Sequence, residues 1–463
     1  MSTMTAEASG WSPKGARRRR SAVSPSGPAP RPLMLQWAVI AVGLGFGATM
    51  ALAVTSESWT QLKAPGGVPM FLGNMTGLAG TYLALVMVLL VSRVPVVERV
   101  LGQDGLLRWH RTLAPWPISL IAAHAVLLTV AYAQAAHTGP WHEFGVLIGT
   151  FPDMLTATIA FFLMMAIGFV SMGAIRRRMP RERWWALHLC MYLALALSFA
   201  HIIALGPSFV GHPLTRLLWS AVWVLTAGLV IAYRFGLPVL RTLRHRLEVV
   251  EVRDEGPGVV SIICRGRGLE HLAFSGGQFF EWRFLTPGMW WQAHPFSLSA
   301  LPRPPYLRLT VKGIGDFSSQ LARVRPGTKI AIEGPYGAFT AHHRERQKSV
   351  LIAGGIGVTA VRSLLEDMPR GTDPVVILRA SSSEDLILST EVAELVRQRK
   401  GQLHEFVGPR SLVNFDRLLD VVPDLRQRDV YVAGPEEFVH RVVATMSRLG
   451  VARTSLHFEV YSL

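Results

Sequence analysis

Six apolar stretches dominate the first half of this chain and limit it to one kind of fold. They lie near residues 33–54, 72–92, 110–133, 153–174, 184–205 and 214–234. Each approaches the ~20 apolar residues that cross a bilayer as a helix. Half of the 463 residues are hydrophobic and only 17% are charged, a low share for a soluble protein. Up to about Phe235 the apolar residues come in long runs; beyond it, short runs alternate with turns and charges. The pattern is a membrane half followed by a soluble half, in two or three domains.

The formal charge of +16 is that of a membrane protein with basic cytoplasmic loops rather than a nucleic-acid binder. Arg93, Arg99, Arg108 and Arg111 lie between the second and third stretches. "RRRMPRER" (176–183) joins the fourth and fifth, and Arg234, Arg241, Arg244 and Arg246 follow the sixth. The opposite loops carry little beyond Lys63 and Arg216, so both termini are expected on the cytoplasmic side. Loop 135–152, with His137, His142 and Glu143 read as solvated, and turn 206–213 then face outward. Residues 1–32 are basic and rich in Pro and Ser, the composition of a disordered tail, and lack the order of a cleavable signal peptide. Cys190 and Cys264 are far apart, which leaves no disulfide framework and no cysteine-built metal site.

From about Leu247 the reading changes. "LEVVEVRDEGPGVVSIICRG" and "YLRLTVKGIG" are short strands with Gly/Pro turns, the pattern of a small antiparallel β-barrel. "SVLIAGGIGVTAVRSLLEDM", "PVVILRA" and "DVYVAGP" then alternate buried strands with helices, so the last third is α/β with a parallel sheet.

Four of the 15 histidines fall inside the apolar stretches: His110 and His124 in the third, His188 and His201 in the fifth. Both stretches run from inside to outside, so His110 and His188 share a cytoplasmic level, and His124 and His201 a level about 20 Å deeper. Two facing pairs suit two bis-histidine haems, one above the other; the structural alternative is helix–helix hydrogen bonding. The 14-residue spacing returns to one helix face, whereas the 13 residues from His188 to His201 land roughly 140° apart. Six spans with His-x13-His in the third and His-x12-His in the fifth resemble the ferric reductase and NADPH oxidase superfamily. The resemblance implies a six-helix haem bundle in which His110 and His188 hold an inner b-type haem and His124 and His201 an outer one.

The soluble half resembles ferredoxin–NADP reductase-type modules. "QAHPFSLSA" (292–300) is similar to the stretch that lies against the flavin ring, which implies flavin contacts for His294, Pro295, Phe296 and Ser297, with Ser297 near the flavin N5. In "VKGIGDFSSQL" (311–321), Gly315, Phe317 and Ser318 open a short helix whose free N–H groups can receive the FAD pyrophosphate. "EGPYGAFT" (333–340) resembles the close of the flavin domain. "AGGIGVTA" (353–360) resembles the nucleotide turn of these reductases. Gly354, Gly355, Gly357 and Thr359 match, and Ala360 stands where the family has proline. "VAGP" resembles the turn beside the nicotinamide through Gly434 and Pro435, with Ala433 in place of cysteine. Arg379, Ser381, Ser382 and Arg410 are candidates for the 2′-phosphate of NADPH, NADH remaining open. The ending "HFEVYSL" resembles a terminal Glu-x-aromatic, which gives Glu459 and Tyr461 a place at the flavin.

The expected organisation is a tail (1–32), a six-span membrane domain (33–235), an FAD-binding barrel (245–345) and an NAD(P)H-binding α/β domain (346–463). The resemblance implies an oxidoreductase of the cell membrane. Electrons from cytoplasmic NAD(P)H would pass through FAD and two haems to an outer acceptor. Superoxide-forming relatives often carry a further His one turn beyond the outer ligand and an Arg in the first span. Here Leu128 occupies the first place and 33–54 holds no charge, so a ferric chelate is favoured over oxygen. Two other readings stay open: a relay subunit feeding a partner protein or quinone, and an anchored flavin reductase with structural histidines.

Overall fold

The computed structural model describes residues 31–56, 58, 60–409 and 418–461. Most of the expected tail, and Arg410, therefore lie outside the described residues; Arg31 and Pro32 already belong to the first helix. The chain divides into two compact units that meet in sequence at Gly236 and Leu237.

The first unit is helical throughout: α1 (Arg31–Thr55), α2 (Gly67–Val91), α3 (Pro95–Leu113), α4 (Pro115–Ala136), α5 (Pro140–Thr150), α6 (Met154–Val170), α7 (Gly173–Arg176), α8 (Arg181–Leu205) and α9 (Pro213–Leu229). Among the described residues, five helical runs are long and apolar enough to cross a membrane, and α6, with 17 residues, is a shorter apolar helix. Hydropathy therefore located the apolar runs but not their ends. The third run begins at Gly105 and is divided at Ala114, where Pro115 and Pro117 cannot donate to the carbonyls one turn back. His110 thus sits on α3 and His124 on α4. The last run continues through seven residues of π-helix (Val230–Gly236) into α10 (Leu237–His245), past its expected end.

Loop 135–152 also differs from expectation. It folds into α5, started by Pro140 at its first position, and Glu143 is buried, accepting a hydrogen bond from Thr138 Oγ1 at 2.9 Å. Among the described residues no three metal-ligating side chains cluster, there or elsewhere. The tightest helix pair is α2 against α4. Gly73, Gly77 and Gly80 lie on the facing side, and a Cβ on each would enter Leu128, His124 or Ile121 respectively. Small residues let membrane helices approach this closely.

The second unit carries two sheets. The expected small barrel is a six-stranded antiparallel sheet built from β1 (Leu247–Gly256), β2 (Val259–Arg265), β3 (Phe279–Phe284), β4 (His294–Ser297), β5 (Tyr306–Lys312) and β6 (Lys329–Tyr336). Its order is β4-β3-β6-β1-β2-β5, and a bridge from Leu298 to Leu309 brings its two edges together. Phe280, Trp282, Phe284 and Leu309 fill its core. The short helix α11 (Asp316–Gln320) lies between β5 and β6.

The parallel sheet uses β7 (Ser349–Gly354), β8 (Val375–Ala380), β9 (Gln402–Val407), β10 (Asp429–Pro435) and β11 (Leu456–Tyr461), in the order β11-β10-β7-β8-β9. Helices α12 (Val358–Asp367), α13 (Ser389–Gln398), α14 (Leu418–Val421) and α15 (Glu436–Arg448) cover its faces. The two sheets are fastened by charge. Arg308 on β5, 1% exposed, donates twice to Glu391 on α13 at 2.6 and 2.8 Å. Arg362, also buried on α12, donates to Glu391 and Glu366, and Arg303 completes the chain on Glu366 at 2.9 Å. Burial alone would raise the Glu391 and Glu366 carboxyls, but these guanidiniums more than offset it and hold both below the usual carboxylate range.

Candidate functional site

In the membrane unit the four histidines come together as two pairs. The rings of His110 and His188 have centroids 6.1 Å apart and an interplanar angle of 77°; those of His124 and His201 are 6.5 Å apart at 70°. Two metal–nitrogen bonds of about 2 Å, plus ~1.1 Å from each nitrogen to its ring centre, set the centroids of a bis-imidazole metal about 6 Å apart. The observed spacings fit iron between each pair. Three of the four Nδ1 atoms are engaged outside the pair: His124 Nδ1 meets the Gly73 carbonyl at 2.8 Å and His110 Nδ1 the Met87 carbonyl at 3.3 Å. His188 Nδ1 lies 3.2 Å from Ser171 Oγ. A backbone acceptor on Nδ1 fixes the tautomer that leaves Nε2 free for a metal. Sequence reasoning missed Gly73, Gly77 and Ser171. His124 and His201 line a cavity of about 530 Å³ whose walls carry no Asp, Glu, Lys or Arg.

In the other unit, β4 presents the expected flavin stretch at the edge of its sheet. The His294 ring stacks on Phe317 with centroids 3.9 Å apart, and Phe296 lies parallel to the same ring at 6.4 Å. Pro295 faces solvent, and the Phe296 carbonyl accepts from Trp282 Nε1 at 3.0 Å, which ties the strand to the core. Ser318 Oγ accepts from the N–H groups of Ile314 and Gly315 at 3.0 Å each. The hydroxyl therefore binds the N-cap Gly315 and the residue before it, leaving the N–H groups of the first turn of α11 itself, which is only five residues long.

The expected nucleotide turn sits where the parallel sheet changes direction. From β7 the chain winds outward through β8 and β9, then returns to β10 on the other side. Open α/β sheets bind ligands at this switch point, beyond the carboxyl ends of the strands. Gly354 to Gly357 leave β7 there, and Gly434 and Pro435 end β10. Gly355 has φ +53°, which a residue with a side chain rarely adopts, and a Cβ on Gly357 would meet the Ala433 carbonyl at 2.2 Å. Thr359 Oγ1 donates to the Ile356 carbonyl at 3.0 Å and closes the turn.

Tyr461 joins both sites. Its hydroxyl lies 3.2 Å from Ser297 Oγ and hydrogen-bonds Thr359 and the backbone of Ala360. Burial, with the charge of Glu459 two residues away, pushes the phenol up to about 12, so it stays protonated at neutral pH. Three residues distant in sequence, Ser297, Thr359 and Tyr461, thus meet at one point. Glu459 pairs in register with Ala433 on β10. At the end of β8, Arg379 donates to Ser381 Oγ at 3.1 Å and to the Gly408 carbonyl at 2.7 Å. Ser382 instead donates to Asp385 at 3.0 Å, and the Lys312 ammonium holds that carboxyl below its usual range.

Residues 76–199 match the ferric reductase like transmembrane component family, and residues 259–340 match an FAD-binding domain. The first match contains His110, His124 and His188 and ends two residues before His201. A flavohemoprotein of Oceanobacillus iheyensis is 25% identical over 187 residues, 36% of this chain and 46% of the relative. Dual oxidase 1 of Canis lupus familiaris is 28% identical over 208 residues, 39% of this chain and 13% of the relative. The flavohem-like FAD/NAD binding domain of nitric oxide dioxygenase from Vibrio cholerae is 23% identical with a TM-score of 0.39, covering 47% of this chain and 98% of that one. The chain spans about half the length of the first curated relatives it matches. The two matched domains, with the dual oxidase relatives, support the ferric reductase and NADPH oxidase superfamily for this chain, and the transmembrane match with its several apolar helices supports a multi-pass membrane protein.

Proposed function

We propose that the chain is a transmembrane oxidoreductase. It takes electrons from cytoplasmic NAD(P)H and delivers them through FAD and two b-type haems to an acceptor on the outer face. The observation that carries this reading is the pair of facing imidazole pairs, at 6.1 and 6.5 Å, on helices that share one end-to-end direction. When bound, FAD turns a two-electron hydride into single electrons and haem carries them one at a time. The residues supply position. His110 with His188 hold the inner haem and His124 with His201 the outer one. Ser297 and Tyr461 meet at the flavin edge, where nicotinamide displaces the phenol, and the Gly354–Gly357 turn receives the pyrophosphate. The arginine-rich loops fix both termini and the soluble domains on the cytoplasmic side. NADPH is the favoured donor because Arg379 reaches the end of β8 beside Ser381. The Asp385 carboxylate on Ser382 lowers that preference. Arg379→Ala should raise KM for NADPH about tenfold, the scale of one hydrogen bond to a charged group, with a smaller change for NADH; equal changes would remove Arg379 from the 2′-phosphate.

Leu128 and the uncharged first span favour ferric chelate as acceptor. The uncharged walls of the cavity beside His124 and His201 favour a second reading, a neutral acceptor such as oxygen or quinone. Assaying the purified protein against ferric chelate, oxygen and a soluble quinone side by side separates them. A preparation that binds flavin but shows no Soret band and no reducible bis-imidazole spectrum would reduce the membrane half to an anchor. His124→Leu should abolish outer-face reduction, with dye reduction by the flavin half as control; ferric reduction that persists would remove His124 from the path.

A further inference from the structure

The inner pair carries a support that the outer pair lacks. Ser171, at the cytoplasmic end of α6, has its Oγ 3.2 Å from His188 Nδ1 and 3.2 Å from the Nε1 of Trp184. An indole nitrogen can only donate, so the serine oxygen accepts there. With Nε2 of His188 turned toward iron, Nδ1 carries the proton and also donates to the same oxygen. Trp184 in addition stacks on the His188 ring, centroids 5.0 Å apart and planes 25° from parallel, and the Arg176 guanidinium lies 4.3 Å over the indole. His188 is therefore held on one edge by Ser171 and on one face by Trp184. At the outer level, His201 Nδ1 is buried without a hydrogen-bond partner among the described residues.

Resting on the haem reading above, we propose that Ser171 and Trp184 are positioning residues. They act through His188 to set the reduction potential of the inner haem alone, and in opposite directions. Donating the Nδ1 proton makes an imidazole a more basic ligand, which favours the oxidised metal and lowers its potential. Ser171 is the acceptor that permits this. Trp184 competes for the same oxygen: an oxygen that already accepts one proton is a poorer acceptor for the second. Removing Ser171 should raise the inner potential, whereas removing only the indole N–H should lower it. A brace that merely packed the helix would move both variants the same way, through lost haem or a broadened spectrum.

The test is a redox titration of the purified full-length protein, read by the α-band of each haem and by low-spin EPR, which senses the angle between paired imidazole planes. Ser171→Ala is expected to shift the inner haem's reduction equilibrium by about tenfold toward the reduced form, ~59 mV for one electron. Ser171→Thr, which keeps the hydroxyl, should return it to the wild-type value. Trp184→Phe, which keeps the ring and loses the N–H, should shift it the other way, with the outer haem unchanged in all three. If the protein holds two bis-imidazole haems and Ser171→Ala leaves the inner potential unmoved, or Ser171→Ala and Trp184→Phe shift it in the same direction, the proposal is overturned. Absence of any bis-imidazole haem from the wild-type protein overturns the haem reading itself, a different and separately visible result.

Discussion

Gly77 sets how closely α2 can approach His124, since a Cβ there would lie 2.5 Å from the ring Nδ1. That nearness lets the carbonyl of Gly73, one turn earlier on α2, reach the same nitrogen. Gly77→Ala should force the ring aside at a cost of about 1–3 kcal/mol, the usual range for overpacking. We expect the haem content to fall from about two per chain toward one on the bis-imidazole count, checked by haem extraction; unchanged content would remove Gly77 from the outer site. At this scale, side chains whose chemistry is costly in their setting were legible in the sequence. The four histidines stood out against hydrocarbon, and Ser297 and Tyr461 stood out through their motifs. Ser171 and Trp184 were not legible, because each acts on a partner from another helix or another turn; Gly73 and Gly77 were, through their spacing. "GNMTGLAG" does carry the small-x-x-x-small spacing that marks close membrane helix pairs, a signal available beforehand.

Among elements, hydropathy reads composition but not axis. The third apolar run held Pro115 and Pro117, and there the helix is interrupted, so His110 lies on α3 and His124 on α4. The sixth run continued through a π segment into charged α10, a register change that leaves no mark in an apolar average. The 13-residue step from His188 to His201 looked awkward on an ideal helix. α8 is unbroken, and its two rings pair with partners on two helices, α3 and α4. The nucleotide turn is easier to read, because its glycines answer a backbone demand. Gly357→Ala drives a methyl into the Ala433 carbonyl and should weaken NAD(P)H binding by about 1–3 kcal/mol. Titration of nicotinamide nucleotide into the flavin-loaded protein checks this; wild-type affinity would show that the β7 and β10 turns can part freely.

At the scale of the molecule, each unit has its own core, and within the second unit the flavin sheet and the nucleotide sheet share a run of guanidinium–carboxylate bonds. Glu391 bridges Arg308 and Arg362, both almost wholly buried. Glu391→Gln would leave two buried cations short of charge, at about 3–5 kcal/mol. Because the folded Glu391 and Glu366 carboxyls titrate below their unfolded values, their stabilisation is full above an unfolded pKa of about 4.3. It fades as pH falls through the lower folded values. Chemical denaturation at pH 7 and at steps below pH 4 should show Glu391→Gln losing most at pH 7, with the difference shrinking only as the folded carboxyl takes up its proton; a loss that does not change with pH would mean the charge of Glu391 is not what holds the sheets.

The same bonds have a calorimetric consequence. Two sheets whose apolar cores are largely distinct, shared here only where Val259 and Phe339 enter the core of the parallel sheet, ordinarily melt as two cooperative blocks. Bound through Arg308, Glu391, Arg362, Glu366 and Arg303, they should instead absorb heat in one transition, so that flavin release and loss of the nucleotide fold coincide on heating. With Glu391 changed to glutamine, the single endotherm should split, and the order of the two peaks would reveal which sheet had been lending its thermal tolerance to the other.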